Sequence, residues 1–219
     1  MIKGAIFDLD GTLLDSMPVW TSIGARYLKT LGITVDERFY DDVRFMKIPD
    51  YAEYFNKRYG LNEDSFGLKL KINDMMKYYY FNEFKLKEGV KEFLLTAKKN
   101  GVKLAVATAT DAYLVEEVLK RNGVLELFDA RFSCRDYNTD KDEPKIYELA
   151  LSAIGTKKEE SYIFEDALYA IKTAKKADFP VCAVYDPAAK EDWENITELS
   201  DVTVKSFKEA KDEFFGSAL

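Results

Sequence analysis

Residues 5–16 read Ala5-Ile6-Phe7-Asp8-Leu9-Asp10-Gly11-Thr12-Leu13-Leu14-Asp15-Ser16. An apolar run near the amino terminus delivers two aspartates, a glycine and a threonine. A buried carboxylate is costly unless paired, and two side by side repel, so the stretch asks for a compensating positive charge. In a strand, positions i and i+2 share a face. Asp8 and Asp10 can therefore both face the crevice at a strand's carboxyl end, where open α/β sheets bind ligands. Gly11 permits the backbone to turn away tightly. Taken alone, the same residues also fit an ordinary strand-to-turn exit, because Asp and Gly are frequent in turns. An EF-hand calcium loop fits poorly, since the third acidic ligand and the later glutamate are missing.

Working outward, helix and strand patterns alternate from about residue 88. Val90, Phe93, Leu94 and Ala97 fall on one helical face, with Gly101 as a stop signal. "VKLAVAT" reads as a buried strand, and Leu114, Val118 and Leu119 mark a helix closed by Asn122-Gly123. "FDARFSC" is a weaker strand, followed by a helix with Ile146, Leu149, Ala150 and Ala153 on one face and a stop near Gly155. "SYIFED" is a strand; Leu168, Ile171 and Ala174 mark a helix; "PVCAVY" and "DVTV" close the series as strands. Short apolar strands separated by amphipathic helices predict an α/β fold, a doubly wound, Rossmann-like parallel sheet.

The first strand, near residues 2–9, belongs to this sheet, yet the next begins near 102. A βαβ step needs only a few dozen residues, so a segment has been inserted. Met17, Trp20, Ile23, Tyr27 and Leu31 recur at helical spacing and end at Gly32; Tyr51, Tyr54, Phe55 and Tyr59 do the same before Gly60. The expected organisation is a catalytic core of residues 1–15 and 86–219 with a helical cap domain, 16–85, inserted after the first strand.

Composition narrows the chemistry. The chain has 219 residues, 39 acidic against 32 basic, for a net charge of −7. That balance argues against a nucleic-acid or anionic-membrane surface, while leaving room for a small phosphate ligand held by a local cation. A chain of this length buries roughly 70% of its unfolded surface without staples. Cys134 and Cys182 lie in apolar runs with no C-x-x-C spacing and read as reduced thiols. No stretch reaches the length of a membrane span, so the expected location is the cytoplasm. There is no histidine, which excludes serine–histidine hydrolases and histidine-ligated zinc and leaves carboxylate, lysine, tyrosine or cysteine for proton transfer.

Three further sites each sit just after a strand or at a helix start of the same sheet: Thr108 closing "VKLAVAT", Lys141 before Pro144, and Glu165-Asp166 closing "SYIFED". Singly, each has a plain explanation: a helix cap, a solvated charge, partners for a helix dipole. Their ordered occurrence at sheet edges points to one site.

With these four elements ("DLDGT" at 8–12, Thr108, Lys141 in "KDEPKIY", and "ED" at 165–166) the chain resembles the haloacid-dehalogenase-like superfamily, in its helical-cap phosphatase and β-phosphoglucomutase-like branch. The resemblance implies Asp8 as nucleophile through an aspartyl-phosphate, and Asp10 as the acid that protonates the leaving group and then deprotonates water. It implies Thr108, Ala109 and Lys141 as substrate-binding positions, with Thr108 and Lys141 also catalytic. Mg²⁺ would be held by Asp8, the backbone carbonyl of Asp10, and Asp166, with Glu165 assisting. In the cap, Lys47 or Arg44 can reach a substrate's polar end, while a solvated helix end explains each more cheaply. The aromatic run Tyr78-Tyr79-Tyr80-Phe81 fits core packing more cheaply than ring stacking.

The second aspartate separates the chain from the dehalogenases. It departs from the family pattern at Ala167, where serine is common; at Ala170 and Asp178, where glycine is common; and at "KEG", 87–89, where Pro-Gly is usual. The expected activity is a Mg²⁺-dependent phosphatase of a small phosphorylated metabolite, sugar phosphates first, with no obligatory protein partner. The alternatives are a phosphomutase using the same residues and a phospho-accepting regulatory module.

Overall fold

The computed structural model describes residues 2–43, 46 and 50–216. The chain divides into two compact units, Met1–Ser16 with Phe84–Leu219, and Met17–Glu83. Among the described residues no helix is long and apolar enough to cross a membrane.

The larger unit carries β1 (Gly4–Phe7), β2 (Lys103–Thr108), β3 (Ala130–Ser133), β4 (Ser161–Glu165), β5 (Val181–Val184) and β6 (Val202–Val204). All pairings are parallel and the order is β3-β2-β1-β4-β5-β6. The chain winds from β1 to one edge and then resumes on the other side of β1, so the reversal lies between β1 and β4. In open α/β sheets such a reversal is where ligands bind, at the carboxyl ends of the strands.

The smaller unit contributes α1 (Met17–Trp20), α2 (Ile23–Thr30), α3 (Arg38–Val43), α4 (Asp50–Tyr59) and α5 (Ser65–Asn82). The larger unit adds α6 (Val90–Lys99), α7 (Ala112–Arg121), α8 (Lys145–Ile154), α9 (Leu168–Lys176), α10 (Trp193–Leu199) and α11 (Phe207–Phe215). Alternation along the strands sorts the core into two layers. Ile6, Ala105, Ala107, Ile163, Val181 and Ala183 pack with residues of α8, α9 and α10, including Ile146, Ile171 and Ile196. On the opposite face the Phe7 ring stacks on Phe164 at 4.7 Å and meets Phe93 of α6 edge-on at 6.1 Å, with Phe207 of α11 alongside at 6.2 Å.

Two expectations shift. The helical pattern through residues 17–31 is broken into α1 and α2, because the Thr21 and Ser22 hydroxyls donate back to the carbonyls of Met17 and Pro18, 2.8 and 2.6 Å away. Such side-chain bonds compete with the helix ladder, and Leu31 ends up exposed rather than on the apolar face. In α8 the buried face is Ile146, Tyr147, Ala150 and Ile154, while Ala153 is exposed. The larger Tyr147 and Ile154 side chains take the interior that the sequence pattern assigned to Leu149 and Ala153.

Within the smaller unit, Phe55 of α4 stacks on Tyr27 of α2 at 5.9 Å and lies 6.3 Å from Phe39. The aromatic run at 78–81 divides as helical spacing requires: Tyr80 is fully buried and Tyr78 is exposed.

Phe7 joins both central strands to α6 and α11, so its removal leaves a cavity that rigid neighbours cannot fill. Phe7→Ala is expected to lower stability by about 3–5 kcal/mol in urea denaturation followed by circular dichroism. A loss below about 1 kcal/mol would show that this layer is loosely packed.

Candidate active site

Asp8 follows β1 directly, its backbone N–H donating to the Phe164 carbonyl of β4 at 3.0 Å. Glu165 ends β4 and Asp166 follows it, while Thr108 ends β2. Lys141 lies in the loop before α8, its backbone N–H donating to its neighbour Asp140 at 2.7 Å. All therefore stand at the carboxyl edge of the sheet, around the point where the winding reverses.

The Lys141 ammonium is buried and donates to both Asp8 Oδ1 and, at 2.6 Å, Glu165 Oε1. Glu165 Oε2 accepts the backbone N–H groups of Asp166 and Ala167 at 2.8 and 3.1 Å, and the Tyr147 hydroxyl reaches Oε1 at 3.4 Å. Both oxygens of Glu165 are thus engaged in holding Lys141 and the start of the loop after β4. Asp166 Oδ1 accepts the Thr12 hydroxyl at 2.9 Å.

Gly11 has φ +82°, and a Cβ there would collide with the Asp166 carboxylate. The turn after the two aspartates therefore needs glycine for its backbone angle and for this approach.

Among the described residues the charges of this group do not balance. Carboxylate oxygens of Asp8, Glu165 and Asp166 lie within 4.8 Å of one another. Among the described residues Lys141 is the one ammonium bonded to this group, so with all three carboxylates ionised an excess of two negative charges remains. Burial pushes Asp8 up to about 7; Lys141 opposes this, and Glu165 and Asp10 add to it. Burial, then Glu165 and Asp8, hold Asp166 well above the ordinary carboxylate range. For Lys141, burial pulls downward, but Asp8 and Glu165 outweigh it and keep the ammonium well above its ordinary value. Hard oxygen donors with a deficit of two positive charges suit a divalent cation such as Mg²⁺.

Asp10 stands outside this carboxylate group. Ser16 Oγ donates to its Oδ1 at 2.7 Å and Thr110 Oγ1 to its Oδ2 at 2.6 Å. The Thr108 hydroxyl accepts the Thr110 backbone N–H at 3.2 Å, and Ala109 between them is exposed. Thr108 does not cap α7; Asp111 occupies that position. Lys47, like Arg44, lies outside the described residues.

Sequence reasoning missed Thr12, Ser16, Thr110 and Tyr147. Thr12 and Ser16 stand in the quoted stretch itself, and two hydroxyl residues flanking a paired-aspartate turn are a usable signal for side chains that hold those carboxylates. Tyr147 was hidden by the misplaced α8 face.

At the unusual positions, Ala167 contributes its backbone N–H, which any residue but proline supplies, and Ala170 is fully buried. Asp178 sits at φ +60°, the left-handed region that glycine favours. In "KEG" the glycine is retained at Gly89, where a Cβ would press on the backbone of Lys208.

A family model described as haloacid dehalogenase-like hydrolase matches residues 5–184. The chain belongs to that family. Among its relatives, hexitol phosphatase B of Escherichia coli K12 is 26% identical over 221 residues, 96% of either chain. Pyrophosphatase PpaX of Bacillus velezensis is 32% identical over 162 residues, 70% of this chain and 69% of the other. Among solved structures, β-phosphoglucomutase from Clostridium difficile aligns with a TM-score of 0.73 at 21% identity, covering 98% of this chain and 95% of that one. CbbY from Rhodobacter sphaeroides, in complex with xylulose-1,5-bisphosphate, aligns with a TM-score of 0.77 at 22% identity, covering 95% and 96%. At these identities the structural likeness establishes the fold of a haloacid dehalogenase-like hydrolase and leaves the substrate open.

The raised value of Asp8 has a stability consequence. Its folded value of about 7 lies above the ordinary 3.8, so this group supports the fold below the lower value and withdraws that support as pH rises through the upper one. A divalent cation that binds the ionised cluster offsets the loss. The upward shift in Tm caused by Mg²⁺ over a chelator control is therefore expected to be larger at about pH 8 than at about pH 5. Equal shifts in differential scanning fluorimetry would contradict the assignment of a cation to these carboxylates.

Proposed function

We propose that the chain is a Mg²⁺-dependent phosphatase acting on a small phosphorylated metabolite, with sugar phosphates as the first class to test. The observation that carries this reading is the charge arrangement at the sheet's carboxyl edge. Asp8, the first acid after the central strand, is bridged to Glu165 by a buried lysine, with Asp166 alongside and two negative charges uncompensated. Such a site favours a divalent cation, which cancels the excess and, with the Lys141 ammonium, presents positive charge to a phosphoryl group. The relatives named as phosphatases of hexitols and pyrophosphate support the same class.

On this reading Asp8 attacks phosphorus and becomes an aspartyl-phosphate, which divides one difficult displacement into two easier ones. Lys141 steadies the attacking carboxylate and the charge on the phosphoryl oxygens during transfer. Thr108 and the backbone at Ala109 hold phosphoryl oxygens from the β2 side. Asp10 gives its proton to the departing oxygen, then takes one from the water that cleaves the aspartyl-phosphate. The hydroxyls of Ser16 and Thr110 fix both oxygens of Asp10 and so set where that proton is delivered. Asp8, the Asp10 carbonyl and Asp166 would hold Mg²⁺, which when bound supplies positive charge for the phosphoryl oxygens. Glu165, with its oxygens taken by Lys141 and two backbone N–H groups, acts mainly by positioning Lys141. The helical unit of residues 17–83 is the segment inserted between β1 and β2.

A panel of phosphate esters assayed for released phosphate, with and without Mg²⁺, tests the reading. Turnover is expected only with the metal. Asp8→Asn should reduce it by at least about 10³-fold and Asp10→Asn by about 10²- to 10⁴-fold. Full activity in Asp8→Asn would refute the nucleophile assignment. A hexose 1-phosphate converted to its 6-phosphate isomer, with no free phosphate, would instead mark the enzyme as a phosphomutase.

A further inference from the structure

Lys87 has no part in the chemistry above, yet its ammonium is anchored at three points close to the site. It donates to the Gly11 carbonyl at 2.7 Å, to the Tyr185 carbonyl at 2.8 Å and to Asp186 Oδ2 at 3.0 Å. An ammonium has three N–H donors, so all are used and none is left for a ligand. The Lys87 side chain is 16% exposed and that of Asp186 only 2%. Asp186 in turn accepts the Ala188 backbone N–H at 2.9 Å, which fixes the loop after β5.

The segment that carries Lys87 is itself tied to the loop bearing the aspartates. The Lys87 backbone N–H donates to the Leu13 carbonyl at 2.9 Å and that of Asp15 to the Lys85 carbonyl at 3.0 Å, around an antiparallel bridge between Leu14 and Leu86. These backbone bonds hold residues 13–15. Gly11, one turn earlier, also gives its backbone N–H to the Leu14 carbonyl at 3.1 Å, and Lys87 takes its carbonyl. Gly11 is also the residue whose bare Cα allows the Asp166 carboxylate to approach.

We propose that Lys87 is a positioning residue: by tying the Gly11 carbonyl to the buried Asp186, it sets the turn that places the Asp10 backbone and the Asp8–Asp166 pair. A side chain from the loop that leads into α6 thereby joins the turn after β1 to the loop after β5. The proposal rests on the phosphoryl-transfer reading of the site. It assigns Lys87 no contact with substrate.

Lys87→Met alone strands a buried carboxylate, which is costly to the fold. The informative variant is therefore Lys87→Met combined with Asp186→Leu, which removes both charges together and releases the Gly11 and Tyr185 carbonyls and the Ala188 N–H. Measured well below its Tm, the double variant is expected to lose about 10- to 100-fold in kcat while KM for the best ester changes by less than about threefold. The Mg²⁺ concentration giving half of the thermal shift of the substrate-free protein should rise by about fivefold or more, a readout that needs no turnover. If wild-type protein is active and the double variant matches it in kcat and in Mg²⁺ titration, the positioning role is wrong and the phosphatase reading stands. If wild-type protein hydrolyses no ester but the variant still shifts the Mg²⁺ titration, the phosphatase reading fails and the positioning of the turn survives. A variant that loses stability while keeping kcat and the Mg²⁺ midpoint also overturns the proposal, since that is the result of a purely structural pair.

Discussion

The Lys141 ammonium, buried between Asp8 and Glu165, is the interaction around which the site is built. A buried carboxylate without a partner is neutralised rather than ionised. Joined through one lysine the two carboxylates form a single charged unit, and the unit is placed by the strands themselves: Asp8 follows β1, Glu165 ends β4, and these strands are hydrogen-bonded neighbours. Removing one partner of such a buried arrangement leaves the other charge uncompensated, which is far more costly than losing an exposed ion pair. The sheet thus sets the separation of the acids, and the lysine makes their proximity tolerable.

That tolerance is incomplete, and the shortfall gives the site its chemical character. Among the described residues one bonded cation faces three carboxylates, and Asp8 and Asp166 are both held above the ordinary carboxylate range. A protein that only needed stability would gain by replacing such a group with apolar side chains of similar volume. Keeping it makes physical sense if a divalent ion completes the charge balance during the working cycle. On the proposed reading the strain of the uncompensated state is what drives cation binding.

The parts of the fold with strong periodicity were legible in the sequence. All six strands, including the short β3 and β6, were visible as apolar runs bounded by turn signals, and the faces of α6 and α7 were visible from their spacing. Asp8, Lys141, Glu165 and Asp166 could be proposed as one site because residues at strand ends of a parallel sheet converge on one edge. Their pairing was harder to see: that Lys141 bridges Asp8 and Glu165 depends on how the loop before α8 folds back, which no periodicity encodes. The break between α1 and α2 was missed because Thr21 and Ser22 are compatible with a helix until their hydroxyls turn onto the preceding carbonyls. Tyr147 was missed because an apolar pattern counts Leu149 as equally good interior, and only the geometry beneath Lys141 prefers a large side chain with a hydroxyl tip. The links through Thr110, Ser16, Lys87 and Asp186 are contacts between loops, each made by residue types that are common on surfaces.

The proposed divalent-cation site is tested most directly by calorimetric titration of Mg²⁺ into metal-free protein at a pH above about 8, where the raised Asp8 carboxyl is ionised. Binding of one cation per chain is expected, with that binding abolished in Asp166→Asn. An absence of binding in the wild-type protein, or an Asp166→Asn variant that takes up the cation unchanged, would contradict it.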